Sequence, residues 1–66
     1  MTINVNTRSQ SISENSSLEV LLQQLDISRN GIAVAINNEI ISKEKWNSTI
    51  LNSNDNVTII QATQGG

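Results

Sequence analysis

The 66-residue sequence contains no cysteine and no histidine. The first absence excludes disulfide support and any thiolate zinc site. The second removes the commonest general base and the commonest metal ligand. The carboxylates are scattered at Glu14, Glu19, Asp26, Glu39, Glu44 and Asp55, without the close spacing of a calcium loop. The basic residues Arg8, Arg29, Lys43 and Lys45 are equally dispersed, so no basic face is expected for a phosphate backbone. One Trp with no Phe or Tyr leaves nucleic-acid bases almost nothing to stack on. The longest apolar run, Ile32–Ile36, falls far short of the roughly 20 residues that span a bilayer. The opening Met1-Thr2-Ile3-Asn4 lacks the basic and then apolar regions of a signal peptide. These features describe one small cytoplasmic domain, near the lower size limit for a core without staples. It is expected to bind neither nucleic acid nor membrane, and it has little core from which to carve a pocket. No catalytic residue and no metal site are expected on the chain itself.

What is present reads as α+β. Ile3 and Val5 alternate with Thr2, Asn4 and Asn6, the period of a strand with one buried face. Asn6-Thr7 is a turn signal, and residues 8–12 form a weaker strand. Leu18, Leu21, Leu22 and Leu25 recur at i, i+3, i+4 and i+7, which predicts a helix over residues 17–26. Ser16 with Glu19 three residues on has the form of a capping box. After the Asn30-Gly31 turn signal, Ile32–Ile36 is a continuous apolar run and reads as a strand buried on both faces, central in its sheet. Asn37-Asn38 leads to a short apolar piece at Ile40-Ile41, and residues 42–46 suggest one helical turn that delivers Trp46 to the core. Ile50 and Leu51 are expected to pack under a long connection before a last strand over 57–60. A lone helix needs a sheet on which to bury its leucines. The order therefore predicts a β-grasp, or ubiquitin-like, domain over residues 1–61. About five strands form a mixed sheet across the helix, with the first and last strands side by side and parallel.

The end of the chain is its unusual feature. Two of the three glycines are Gly65 and Gly66. At an average glycine usage of about 7%, two specified positions are both glycine about 0.5% of the time. One reading is an inert frayed end, since residues 62–66 beyond the last apolar strand are expected to form a flexible tail. The other is functional: paired glycines lack side chains, so they thread through a narrow channel into another protein's site. The terminal α-carboxylate is ionised at neutral pH and a poor electrophile. Conversion to an acyl adenylate would supply the leaving group that a sulfur or nitrogen nucleophile needs.

The segments Ser17-Leu18-Glu19-Val20-Leu21-Leu22, Val34-Ala35-Ile36-Asn37-Asn38-Glu39-Ile40-Ile41, Lys43-Glu44-Lys45-Trp46 and Gly65-Gly66 together resemble the ThiS family, the sulfur carriers of thiamine biosynthesis. The likeness covers essentially the whole chain. The Ala-Ile-Asn-x-Glu-Ile-Ile run, followed five residues later by Trp46, favours this family over the small subunit of molybdopterin synthase. That subunit, or a ubiquitin-like protein modifier, is the alternative. The resemblance implies that a ThiF-type adenylyltransferase activates Gly66 with ATP and magnesium, both held by that partner and neither by this chain. It implies that a persulfide from a cysteine desulfurase system converts the end to a thiocarboxylate, and that thiazole synthase (ThiG) consumes the sulfur. Gly65 and Gln64 would then be read by the partners as part of the tail. Family members often carry Gly where this chain has Asn38, and Gly-Asp where it has Asn54-Asp55. Asn tolerates positive φ next best, so both turns are expected to survive.

Partner recognition calls for an exposed patch beside the tail, for which Ile60, Ala62 and Ile41 are candidates. Core packing is the role favoured for the two isoleucines, as it is for Trp46. Lys43 and Lys45 read as a solvated face, and Glu44 and Asp55 as surface charges.

Overall fold

The structure, a computed structural model, describes residues 1–61. The tail expected at 62–66 lies outside the described residues. Five strands and one helix follow in the order β1 (Thr2–Val5), β2 (Arg8–Ser11), α1 (Leu18–Gln24), β3 (Ile32–Ile36), β4 (Glu39–Ile41) and β5 (Asn56–Gln61). The sheet order is β2-β1-β5-β3-β4. The terminal strands β1 and β5 pair in parallel, as Asn4 opposite Asn56 and Val5 opposite Val57. The other pairings are antiparallel. This is the expected mixed sheet across a single helix.

Both hairpins close with two residues at positive φ, Asn6 (50°) with Thr7 (71°) and Asn37 (51°) with Asn38 (71°). That is the type I′ pattern, whose twist matches the flanking strands. Asn38 and Asn54 (70°) both occupy the left-handed region, so asparagine fills the positions where glycine was the alternative.

The helix is shorter than the expected 17–26, and each end has a physical reason. The N-cap is Ser17, whose Oγ accepts from the Val20 N–H at 3.2 Å. The N–H groups of Leu18 and Glu19 donate to the carbonyls of Thr49 (2.9 Å) and Trp46 (3.1 Å). The first-turn donors are thus satisfied by Ser17 and by the connection before β5. The capping box predicted for Ser16 and Glu19 does not form: Ser16 is buried, and its hydroxyl donates to the Ser13 carbonyl. Glu19 instead faces Arg29 at 3.5 Å. At the other end Asp26 takes φ 58°, its N–H donates to Gln23 and that of Ile27 to Leu22. This is a Schellman closure with Asp where glycine is usual.

The core lies between α1 and one sheet face. Ile3, Val5, Val34, Val57 and Ile59 from the strands meet Leu18, Leu21 and Leu22, with Ile12, Trp46 and Leu51 closing the ends. Trp46 is delivered by the 3-10 turn Lys43–Lys45, and its Nε1–H donates to the Ile41 carbonyl at 2.9 Å. The expected packing of Leu51 is observed, whereas Ile50 is half exposed and bridges to Ser17. The reading of Ile32–Ile36 as central and buried on both faces is corrected on two counts. β5 occupies the middle of the sheet, and Ala33 lies on an open face. Alanine made the run look uniformly buried because it is apolar yet small enough to sit in solvent.

Candidate functional site at the end of the last strand

Strand β5 carries the chain to the limit of the described residues. Its alternation is regular: Val57 and Ile59 point into the core while Thr58 and Ile60 face outward. The register aligns Ile60 with Ala33, Thr58 with Ala35, and Ala35 with Ile40. Ala33, Ala35, Ile40 and Ile60 therefore lie on the same face of adjacent strands, Ala35 itself buried at 7% exposure and the other three exposed. Ile60 is 53% and Ile40 65% exposed, large values for isoleucines in a sheet. The same face of β1 and β2 carries Thr2, Asn4, Ser9 and Ser11. The apolar patch is thus confined to the half of the face formed by β5, β3 and β4.

Of the residues singled out from sequence, Ile60 joins this patch, and the core role favoured for it is overturned by its outward register. Ile41 lies opposite Val34, partly buried against the core, as the packing reading expected, so it does not belong to the surface. Ala62, Gln64, Gly65 and Gly66 lie outside the described residues. Ile40 and the two alanines were missed. Strict alternation through β3 was the signal that would have found the alanines, because it separates Ala33 and Ala35 from Val34.

Trp46 is buried at 1% exposure, with Arg29 and Lys43 each 5.9 Å from its ring centre. Lys43 and Lys45 are exposed, as is Glu44. Asp55 does more than decorate the surface: its carboxylate accepts from the Asn52 N–H (2.8 Å) and the Asn37 side-chain amide (3.1 Å), tying two turns together.

Among the described residues, two of the shallow grooves are well formed. One, of about 340 Å³ beside Gln61, has Asp26 as its only ionisable side chain. The other, of about 610 Å³, is lined by Asn4, Asn6, Thr7, Asn38 and Asn56 with Val57 and Thr58, and holds none. Neither brings an acid and a base together. Among the described residues no three carboxylates gather to hold a metal ion, and no helix is long and apolar enough to cross a membrane. What the described residues offer is a fixed platform and an apolar face at the root of the chain's end.

Similarity to known proteins follows the same lines. The sulfur carrier protein ThiS of Escherichia coli (strain K12) is 32% identical over 66 residues, the whole of both chains. An uncharacterized protein of Porphyra purpurea is 35% identical over 66 residues, all of this chain and 93% of its own. The crystal structure of the thiamine biosynthesis protein ThiS from Geobacter metallireducens superposes with a TM-score of 0.85 at 23% identity, covering both chains completely. Its solution structure gives 0.80 over all of this chain and 88% of that one. These two likenesses establish the β-grasp fold. The ThiS family model matches residues 2–66, the glycine pair included, and the chain belongs to the ThiS family.

Proposed function

We propose that this chain is a sulfur carrier in thiamine biosynthesis, acting through the carboxylate of Gly66. It is a co-substrate of other enzymes and no enzyme itself. The observation that carries the reading is the family match that runs through Gly65 and Gly66. The apolar patch around Ile60 supports it. A carboxylate cannot lose oxide, so activation comes first. A Gly66 oxygen attacks the α-phosphorus of ATP and releases pyrophosphate, with ATP and magnesium held by a ThiF-type adenylyltransferase. The terminal sulfur of a persulfide, supplied by a cysteine desulfurase system, then attacks the acyl carbon and AMP departs. A thiol reductant cleaves the resulting acyl disulfide, leaving the thiocarboxylate on Gly66 and the donor sulfur in a new disulfide. Thiazole synthase (ThiG) takes the sulfur from there.

In this scheme the folded body supplies recognition. Ile60 and Ile40 are the surface on which the adenylyltransferase docks, with Ala62 extending it, while Gly65 and Gln64 pass through its channel. A cytoplasmic location, where ATP is available to the adenylyltransferase, belongs to the same proposal. Intact mass after incubation with the adenylyltransferase, ATP, magnesium and a persulfide donor tests the reading. The expected result is a gain equal to the difference between a sulfur and an oxygen atom. Removal of Gly66 abolishes that gain and leaves the circular dichroism spectrum and unfolding midpoint unchanged. An unmodified wild-type mass, or an unfolded truncated protein, overturns it. Loss of molybdenum-cofactor synthesis and not of thiamine in a deletion strain assigns the same chemistry to the other pathway.

A further inference from the structure

The backbone groups of alternate residues, from Asp55 into β5, point towards β1. Asn4 N–H donates to the Asp55 carbonyl and Asn6 N–H to the Val57 carbonyl, each at 2.9 Å. The next rung would fall at Ile59, but β1 has already turned away into its hairpin. The Asn6 side chain takes that rung. Its Oδ1 accepts from the Ile59 N–H at 2.8 Å, and its Nδ2 donates to the Ile59 carbonyl at 3.2 Å. One carboxamide thus presents the donor and acceptor that a further peptide unit of β1 would have offered, and it does so from a residue at φ 50°. The clamped residue lies two positions before the last described one, Gln61, and beside Ile60 of the patch.

We infer that Asn6 is a positioning residue for the carrier reaction: by pinning Ile59 it fixes the position and direction in which the chain leaves the sheet towards Gly66. The inference rests on the carrier reading above. Without the clamp, the segment from Ile59 to Gln61 is held on one side only, through β3. A backbone residue that has come loose must be fixed again on docking, which costs a partner roughly tenfold in affinity per residue.

The molecule contains its own control. Asn37 occupies the matching position of the other type I′ turn, at φ 51°. Its side chain also anchors β5, its Oδ1 accepting from the Asn56 N–H at 3.0 Å. That anchor is at the far end of the strand from Gly66. Asn6→Gly and Asn37→Gly each keep the positive φ and each remove an amide anchor. Pyrophosphate release by the adenylyltransferase is measured with full-length carrier as the varied substrate, below every variant's unfolding transition. Asn6→Gly is expected to raise KM about tenfold with kcat within twofold, and Asn37→Gly to leave both within twofold. Hydrogen exchange at the Ile59 amide quickens in the first variant only. Asn6→Asp keeps the acceptor for Ile59 N–H but loses the donor, so its KM falls between those of wild type and Asn6→Gly. Equal KM increases in the two glycine variants, or none in Asn6→Gly despite faster exchange at Ile59, overturn the inference and leave the carrier reading intact. Absence of pyrophosphate release with the wild-type chain overturns both.

Discussion

Both faces of the sheet carry apolar residues on β3 and β5, yet they do different work. Beneath the helix, Val34, Val57 and Ile59 are at most 8% exposed and interlock with Leu18, Leu21 and Leu22. On the other side Ala33, Ile40 and Ile60 face solvent, and the polar residues of β1 and β2 complete the surface. Burial on the covered face removes apolar area from water and so supplies stability. The exposed isoleucines gain little of this in the isolated chain. On the carrier reading, that gain is made when a partner covers them.

The largest effect expected from this contrast is on the covered face. Leu21→Ala leaves a cavity among Leu18, Leu22 and the strands and costs about 3 kcal/mol in chemical denaturation, while KM for the adenylyltransferase holds under folded conditions. Ile40→Thr with Ile60→Thr reverses the pattern. Threonine keeps the β-branch and the strand preference, so the denaturation midpoint barely moves, while catalytic efficiency with the adenylyltransferase falls about tenfold, or about 1.4 kcal/mol. Loss of stability without loss of coupling would show that the patch serves the fold. Asp26→Gly lies on neither face and sharpens the baseline. It puts glycine at the left-handed helix end and removes a negative charge from the negative pole of the helix, raising stability by about 0.5–1 kcal/mol in the same assay. Ser9→Ala, on the polar half of the open face, is expected to shift both readouts least, with stability within about 0.5 kcal/mol.

The sequence made the covered face legible because leucine spacing and strand alternation report burial directly. The strands and the helix were accessible that way, while the parallel pairing of β1 with β5 followed from the order of elements and the core role of Trp46 from its size. The helix ends were harder to read. Ser17, and not Ser16, caps the start because carbonyls of Trp46 and Thr49, far downstream in the chain, reach the first-turn donors, and a local motif cannot register such partners. Asp26 closes the helix two residues before the apolar pattern fades, in a conformation that its residue type does not advertise. The candidate site was half legible. Gly65-Gly66 stood out through composition alone, and Ile60 was noticed but assigned to the core. Ile40 stayed hidden because a three-residue strand carries too little alternation to show its outward side. The Asn6 clamp was beyond sequence reasoning, since the turn signal explains that asparagine without reference to Ile59.

Trp46 is the sole aromatic residue of the chain, and it is sealed in the core with its indole N–H bonded to the Ile41 carbonyl. The molecule therefore carries a single intrinsic fluorophore, sealed in the core. Its emission is expected to report the opening of the core to water and, on the carrier reading, to stay unchanged while Gly66 is charged and discharged. A change of colour during turnover would mean that loading loosens the body itself.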